Sequence, residues 1–186
     1  MILALWGCLP NTPSDSGADD TAALDCSASF DQLPGYCLPQ GPDPEREPIL
    51  VHVDTVVDGD TFYATHVGGG ATEKVRIIGI DTPELYVDYG DPECWAQEAY
   101  ELLDARIDGQ DVWLSFDYND DDPYDRTLAY VHLGLDDDDF VNRWLLREGA
   151  GPTLLYDDTP SFHDEFRQDE SEARTANAGY WGACSG

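Results

Sequence analysis

The chain has 186 residues, of which 41% are hydrophobic, enough for one sizeable core. No run is long or apolar enough to span a bilayer as a helix. Thirty-nine acids stand against nine bases, a formal net charge of −30, and this opposes the long-range attraction by which most nucleic-acid binders capture phosphate.

Residues 1–48 are rich in Pro, Ser, Asp and Gly and show little periodicity, so they read as an acidic tether before a domain spanning 49–186. Within the tether, Leu5-Trp6-Gly7-Cys8 resembles a bacterial lipobox, whose cysteine becomes lipidated, although the apolar stretch is short and no basic residue precedes it. Strands are expected near 49–57, 60–67, 73–81, 110–117 and 126–134, and helices near 93–107, 140–148 and 161–177. Val51 to Val57 is rich in β-branched residues and stops at Asp58-Gly59, which reads as a hairpin turn into Thr61–Val67. The third strand runs to Ile80 and ends at Asp81-Thr82-Pro83, where proline removes a ladder donor. Asp60 and Asp81, each at a strand end, can converge on one oxygen-seeking cation; the plainer reading makes them turn and cap residues.

Trp95, Ala99, Leu102, Leu103 and Ile107 give the first helix an apolar face. Asp120-Asp121-Asp122 and Asp136-Asp137-Asp138-Asp139 lack calcium-loop spacing and read as solvated loops, with Asp139 as a helix N-cap. The last helix is weakly apolar, with Phe162, Phe166 and Ala173 turned inward. Beside Cys8 there are four cysteines, Cys26, Cys37, Cys94 and Cys184, with no Cys-x-x-Cys pair, so disulfides in an oxidising compartment fit better than a zinc site. The early two can close a small loop and Cys94–Cys184 can staple the C-terminus to the domain, among three possible connectivities. His52, His66, His132 and His163 are scattered and read as ordinary structural or surface histidines.

Five segments then align in order. Val57-Asp58-Gly59-Asp60-Thr61 is followed by Arg76-Ile77-Ile78-Gly79-Ile80-Asp81-Thr82-Pro83-Glu84. Tyr124-Asp125-Arg126-Thr127-Leu128-Ala129-Tyr130, Val141-Asn142 with Gly149, and Gly179-Tyr180-Trp181 complete the set. Together they resemble the staphylococcal-nuclease-like (thermonuclease) family over roughly residues 49–183. The resemblance implies an α+β fold, a five-stranded oligonucleotide/oligosaccharide-binding (OB) barrel with three helices. It also implies a calcium-dependent nuclease that hydrolyses phosphodiester bonds in DNA and/or RNA.

On that resemblance, Asp60, Asp81 and the Thr82 carbonyl match the metal ligands, and Asp58 an outer acid orienting metal-bound water. Glu84 matches the general base or water-orienting group. Arg76 and Arg126 match the phosphate-binding arginines, whose planar forks suit bidentate contact. Tyr124 matches the phosphate-side tyrosine, and Tyr156 is the candidate for one of the family's two substrate-stacking tyrosines. Two departures stand out: Asp125 replaces the glycine before the second arginine, and Pro123 stands where a basic residue is usual. The expected setting is extracytoplasmic, a secreted or lipid-anchored monomer whose acidic surface suits salty water, where the Debye length is short. The alternatives are a catalytically silent OB-type binding module and an acidic calcium-binding surface protein.

Overall fold

The computed structural model describes residues 25–41, 44, 46–86, 90–119, 122–156 and 161–184. Five strands close into a barrel: β1 (Ile49–Val56), β2 (Thr61–His66), β3 (Thr72–Ile77), β5 (Asp111–Ser115) and β6 (Thr127–His132). Their order around the barrel is β1-β2-β3-β6-β5, with β3 and β6 parallel and every other pair antiparallel. Alternation along β1 and β2 puts Val51, Val53, Phe62 and Ala64 inside, as a period of two requires. A bulge at Asp54 shifts the β1–β2 register between Val53 and Thr55. β6 is buried along its whole length because α2 covers its outer face, so it reads as a continuous run rather than an alternating one.

The expected third strand over 73–81 is in fact two. It breaks at Ile78, and Gly79–Ile80 (β4) turns away to pair with Thr153–Leu154 (β7). Gly79 makes the break with φ of +89°, and a Cβ there would sit 2.3 Å from the Phe166 ring, so only glycine fits. Asn142 holds the break in place from α2 (Val141–Glu148): its amide donates to the Ile78 carbonyl at 2.8 Å, and its oxygen accepts the Val131 N–H at 2.8 Å. This buried asparagine satisfies backbone groups that the interrupted ladder leaves open.

Three helices of eight residues or more pack outside the barrel, α1 (Ala96–Ile107), α2 and α3 (His163–Ala176), followed by the single turn α4 (Tyr180–Ala183). α1 buries Ala99, Leu103 and Ile107 against β1. α3 buries Phe166 and Ala173 as expected, while Phe162 is partly buried at its start in a left-handed conformation. Its third anchor is Asp169, buried between Arg143 (Nε to carboxylate 2.7 Å) and Arg147 (3.0 Å). A helix that looked weakly amphipathic therefore docks partly by charge.

Asp139 is not the N-cap of α2. Phe140 holds that position without a side-chain bond, and Asp137–Asp139 form a short 3-10 turn. The acids there meet arginines instead, Asp139 facing Arg106 and Asp137 and Asp138 facing Arg143 and Arg147. The second acidic run is thus a set of ion pairs as well as a wet loop.

Both disulfides are present, Cys26–Cys37 and Cys94–Cys184. Part of the stretch read as a tether is structured. Leu33 and Leu38 bury themselves against Trp113, whose indole N–H donates to the Phe30 carbonyl at 2.6 Å. Ser115 donates to the Pro39 carbonyl, and Gly41 donates its N–H to the Phe116 carbonyl, so residues 25–41 lie along β5. Composition concealed this because the anchoring apolar residues are few and non-periodic. Cys8 lies outside the described residues.

Candidate active site

The β1–β2 turn begins the site. Val57 and Asp58 both donate backbone N–H groups to the Thr61 carbonyl, and the Asp60 N–H closes onto Asp58 Oδ1 at 3.1 Å. This fixes Asp60, which is 6% exposed, pointing across to the end of β4. There Asp60 Oδ2 accepts the Thr82 N–H at 2.8 Å and the Thr82 hydroxyl at 3.0 Å. Gly59 permits the approach, since a Cβ would lie 2.7 Å from Thr82 Oγ1. Asp81 is fixed in turn by its own N–H, donated to the Pro152 carbonyl.

Arg76 at the end of β3 ties these segments together. Its Nε faces Asp60 Oδ1 at 3.1 Å and its Nη2 donates to Asp81 Oδ1 at 3.1 Å. Nη1 donates to the carbonyls of Ile77 and Ile80 at 2.6 and 2.7 Å, capping the strand break. The guanidinium is almost wholly buried and held from several sides.

A cleft of about 430 Å³ opens beside this cluster. Arg76, Asp81, Glu84 and Arg126 line it, with Tyr124 and Tyr156 at its edge, 77% and 50% exposed. Asp60, Asp58 and Thr82 sit behind that wall and do not line it. Arg126 is presented by Asp122, a residue the sequence reading left in a solvated run; Asp120 and Asp121 lie outside the described residues. Asp122 Oδ1 accepts the N–H groups of Tyr124 and Arg126, and Oδ2 accepts Arg126 Nε at 2.7 Å. The Arg126 guanidinium also lies 5.4 Å from the centre of the Tyr124 ring. Asp125, which departs from the expected glycine, adopts φ of +54°, a left-handed conformation that aspartate tolerates better than most residues. The only sequence cue to Asp122 was its spacing of four from Arg126.

The acids crowd one another. Burial, then the neighbouring Asp60 charge, pushes the Asp58 carboxyl up to about 6. Burial also raises Glu84, helped by Asp60, Asp81 and Glu93. Asp81 is raised chiefly by burial, with Asp60 adding and Arg76 opposing. Such a local excess of negative charge is relieved by a bound cation. Among the described residues no three His, Cys, Asp or Glu side chains form an all-side-chain cage. Yet Asp60 and Asp81 meet neighbouring nitrogens of one guanidinium, and two carboxylates completed by carbonyls and waters are a donor set that hard cations accept. Asp81, half exposed, has an oxygen open to such an ion. Both Asp60 oxygens already accept from Thr61, Thr82 and Arg76, so a cation there fits by replacing some of those bonds.

Residues 74–183 match the model of the staphylococcal nuclease homologue family, well over half of the chain. The chain belongs to that family. It is 32% identical to the thermonuclease of Staphylococcus intermedius over 129 residues, covering 69% of this chain and 74% of that protein. It is 32% identical to the SPbeta prophage-derived endonuclease YokF of Bacillus subtilis over 138 residues, 73% of this chain but only 45% of that protein. Endonuclease YncB of the same organism is 30% identical over 139 residues, spanning 74% of this chain and 64% of YncB. The family match begins at Lys74, after the Asp58–Thr61 turn. Hydrogen bonds from Thr82 to Asp60 join that turn to the matched region.

Proposed function

We propose that this chain is a calcium-dependent nuclease hydrolysing phosphodiester bonds in DNA and/or RNA, acting as a monomer outside the cytoplasm. The observation that carries the reading is the cleft in which Arg76, Asp81, Glu84 and Arg126 face one space between two exposed tyrosines. The named relatives, a thermonuclease and two endonucleases, support the same reaction class.

Calcium held by Asp60, Asp81 and the Thr82 carbonyl would supply charge neutralisation for a phosphate and its attacking water. The chain's own groups do the rest. Glu84 orients the water and takes its proton at the carboxylate; its raised affinity for a proton suits that task. Arg126, steadied through Nε and Nη2 by Asp122, keeps its remaining guanidinium N–H groups for the phosphate as charge builds on its oxygens. Arg76 offsets part of the charge of Asp60 and Asp81 and holds the two carboxylates side by side at the cleft wall. Tyr156, half exposed, offers a ring face to a base, while Tyr124, whose ring the Arg126 guanidinium covers, stands on the phosphate side.

The −30 charge fits work in salty water, where screening shortens the reach of surface repulsion. A lipid on Cys8 would tether the enzyme to the cell envelope; mass analysis of the mature N-terminal peptide tests this. The activity is tested by cleavage of single-stranded and duplex substrates with calcium or EDTA, in salt rising to molar concentration. Calcium-dependent cleavage that persists or rises with salt supports the proposal. No cleavage at any salt, from a folded and oxidised sample, replaces it with the binding-module reading.

A further inference from the structure

Glu84 lies outside every strand and helix, yet its backbone is held at two points. Its N–H donates to Glu93 Oε2 at 2.9 Å, and its carbonyl accepts the Glu93 N–H at 3.0 Å. Glu93 lies in neither the cation set nor the cleft lining. It is followed directly by Cys94, whose disulfide to Cys184 ties this point to the end of α4. Glu93, the Cys94–Cys184 bridge and Tyr180 share a surface hollow with Asp81 and Thr82, so the anchor lies against the loop that carries the cation ligands. α1 starts two residues after Cys94, giving Glu93 a second rigid support.

We infer that Glu93 is a positioning residue: its carboxylate and backbone N–H set where Glu84 stands, with the disulfide-linked C-terminus as the anchor. Misplacing a reacting group by about an ångström can cost on the order of 100-fold in turnover, so a two-point hold on Glu84 is a catalytic determinant. The inference rests on the nuclease reading of the cleft.

The test is steady-state cleavage by the full, oxidised chain carrying Glu93→Ala or Glu93→Gln, alongside amide hydrogen exchange at Glu84 and thermal unfolding. Glu93→Ala should lower kcat roughly 10- to 100-fold with KM within about twofold. Glu93→Gln keeps an oxygen able to accept the Glu84 N–H and should recover kcat to within about threefold of wild type. The Glu84 amide should exchange at least about tenfold faster in Glu93→Ala and near the wild-type rate in Glu93→Gln, with the core amides unchanged. A Glu93→Ala kcat within about twofold of wild type overturns the inference, as does a Glu93→Gln variant as impaired as Glu93→Ala. An unmodified chain that never cleaves sinks the nuclease reading instead, while exchange at Glu84 still decides whether Glu93 holds it.

Discussion

Asp60 and Thr82, 22 residues apart, share one carboxylate oxygen: Asp60 Oδ2 accepts both the N–H and the hydroxyl of Thr82, while Oδ1 faces Arg76. This contact joins the β1–β2 turn to the end of β4, making Asp60 a structural keystone as well as a proposed cation ligand. Asp60→Ala would leave a buried guanidinium, a hydroxyl and an N–H short of partners. Losing one member of a buried charge pair costs about 3–5 kcal/mol, and the protein should lose stability on that scale together with all cleavage. Asp60→Asn keeps one acceptor oxygen and should lose less stability but equally its activity. Urea unfolding beside a cleavage assay separates the two; an Asp60→Ala protein as stable as wild type would contradict the geometry.

Arg126 divides its guanidinium between Asp122 and the open cleft. A lysine supplies one point of charge and cannot hold Asp122 and a phosphate oxygen in the same planar geometry. Arg126→Lys should therefore lower kcat/KM by roughly 100-fold, and Arg126→Ala or Glu84→Ala should cut turnover by several orders of magnitude with the fold intact. Near wild-type rates from both alanine variants would remove these residues from the chemistry.

The barrel was legible because β-branched runs, turn dipeptides and proline stops mark strands locally, and the ordered motifs named the closure that periodicity alone does not prove. The grouping of the candidate site was legible where residues sit inside those motifs: Arg76, Asp81, Glu84 and Arg126 come to one cleft, with Asp60 against Arg76. Asp122 and Asp169 were hidden among similar acids, for a chain this acidic gives no local sign of which aspartate meets an arginine. The broken third strand was concealed for another reason. Gly79 reads as one more strand residue until Phe166, 87 positions later, occupies the space its side chain would need.

Glu73 gathers Arg46 through two bonds, the Thr127 hydroxyl and the His66 ring. Burial alone would raise this carboxyl, but the hydrogen bonds from Arg46, Thr127 and His66 outweigh it and hold it down to about 2. Because the folded value lies below the ordinary one, this stabilisation is complete above about pH 4.5 and fades as the pH falls towards 2. Partial solvent screening discounts it to on the order of 2 kcal/mol. The stability gap between wild type and Glu73→Gln should therefore be widest above pH 5 and close by about pH 2. A gap that stays constant across an acid titration of chemical unfolding would show that the group contributes by packing rather than by charge.

The two disulfides close loops of very different length, with sequence separations of 90 for Cys94–Cys184 and 11 for Cys26–Cys37. In the chain-entropy account, the long bridge removes about 4–5 kcal/mol of unfolded-state freedom and the short one about 3 kcal/mol. Their folded-state settings differ as well. Cys26–Cys37 secures a segment already held on Trp113, whereas Cys94–Cys184 pins α4, which has no buried residue of its own, beside Asp81 and Glu93. The paired substitution Cys94→Ser with Cys184→Ser should thus lower the unfolding midpoint more than Cys26→Ser with Cys37→Ser. It should also depress cleavage at temperatures where the protein remains folded, while the Cys26/Cys37 pair should leave the rate within about twofold. Equal effects on the rate would place the C-terminal bridge outside the support of the cleft and reduce it to a constraint on the unfolded chain.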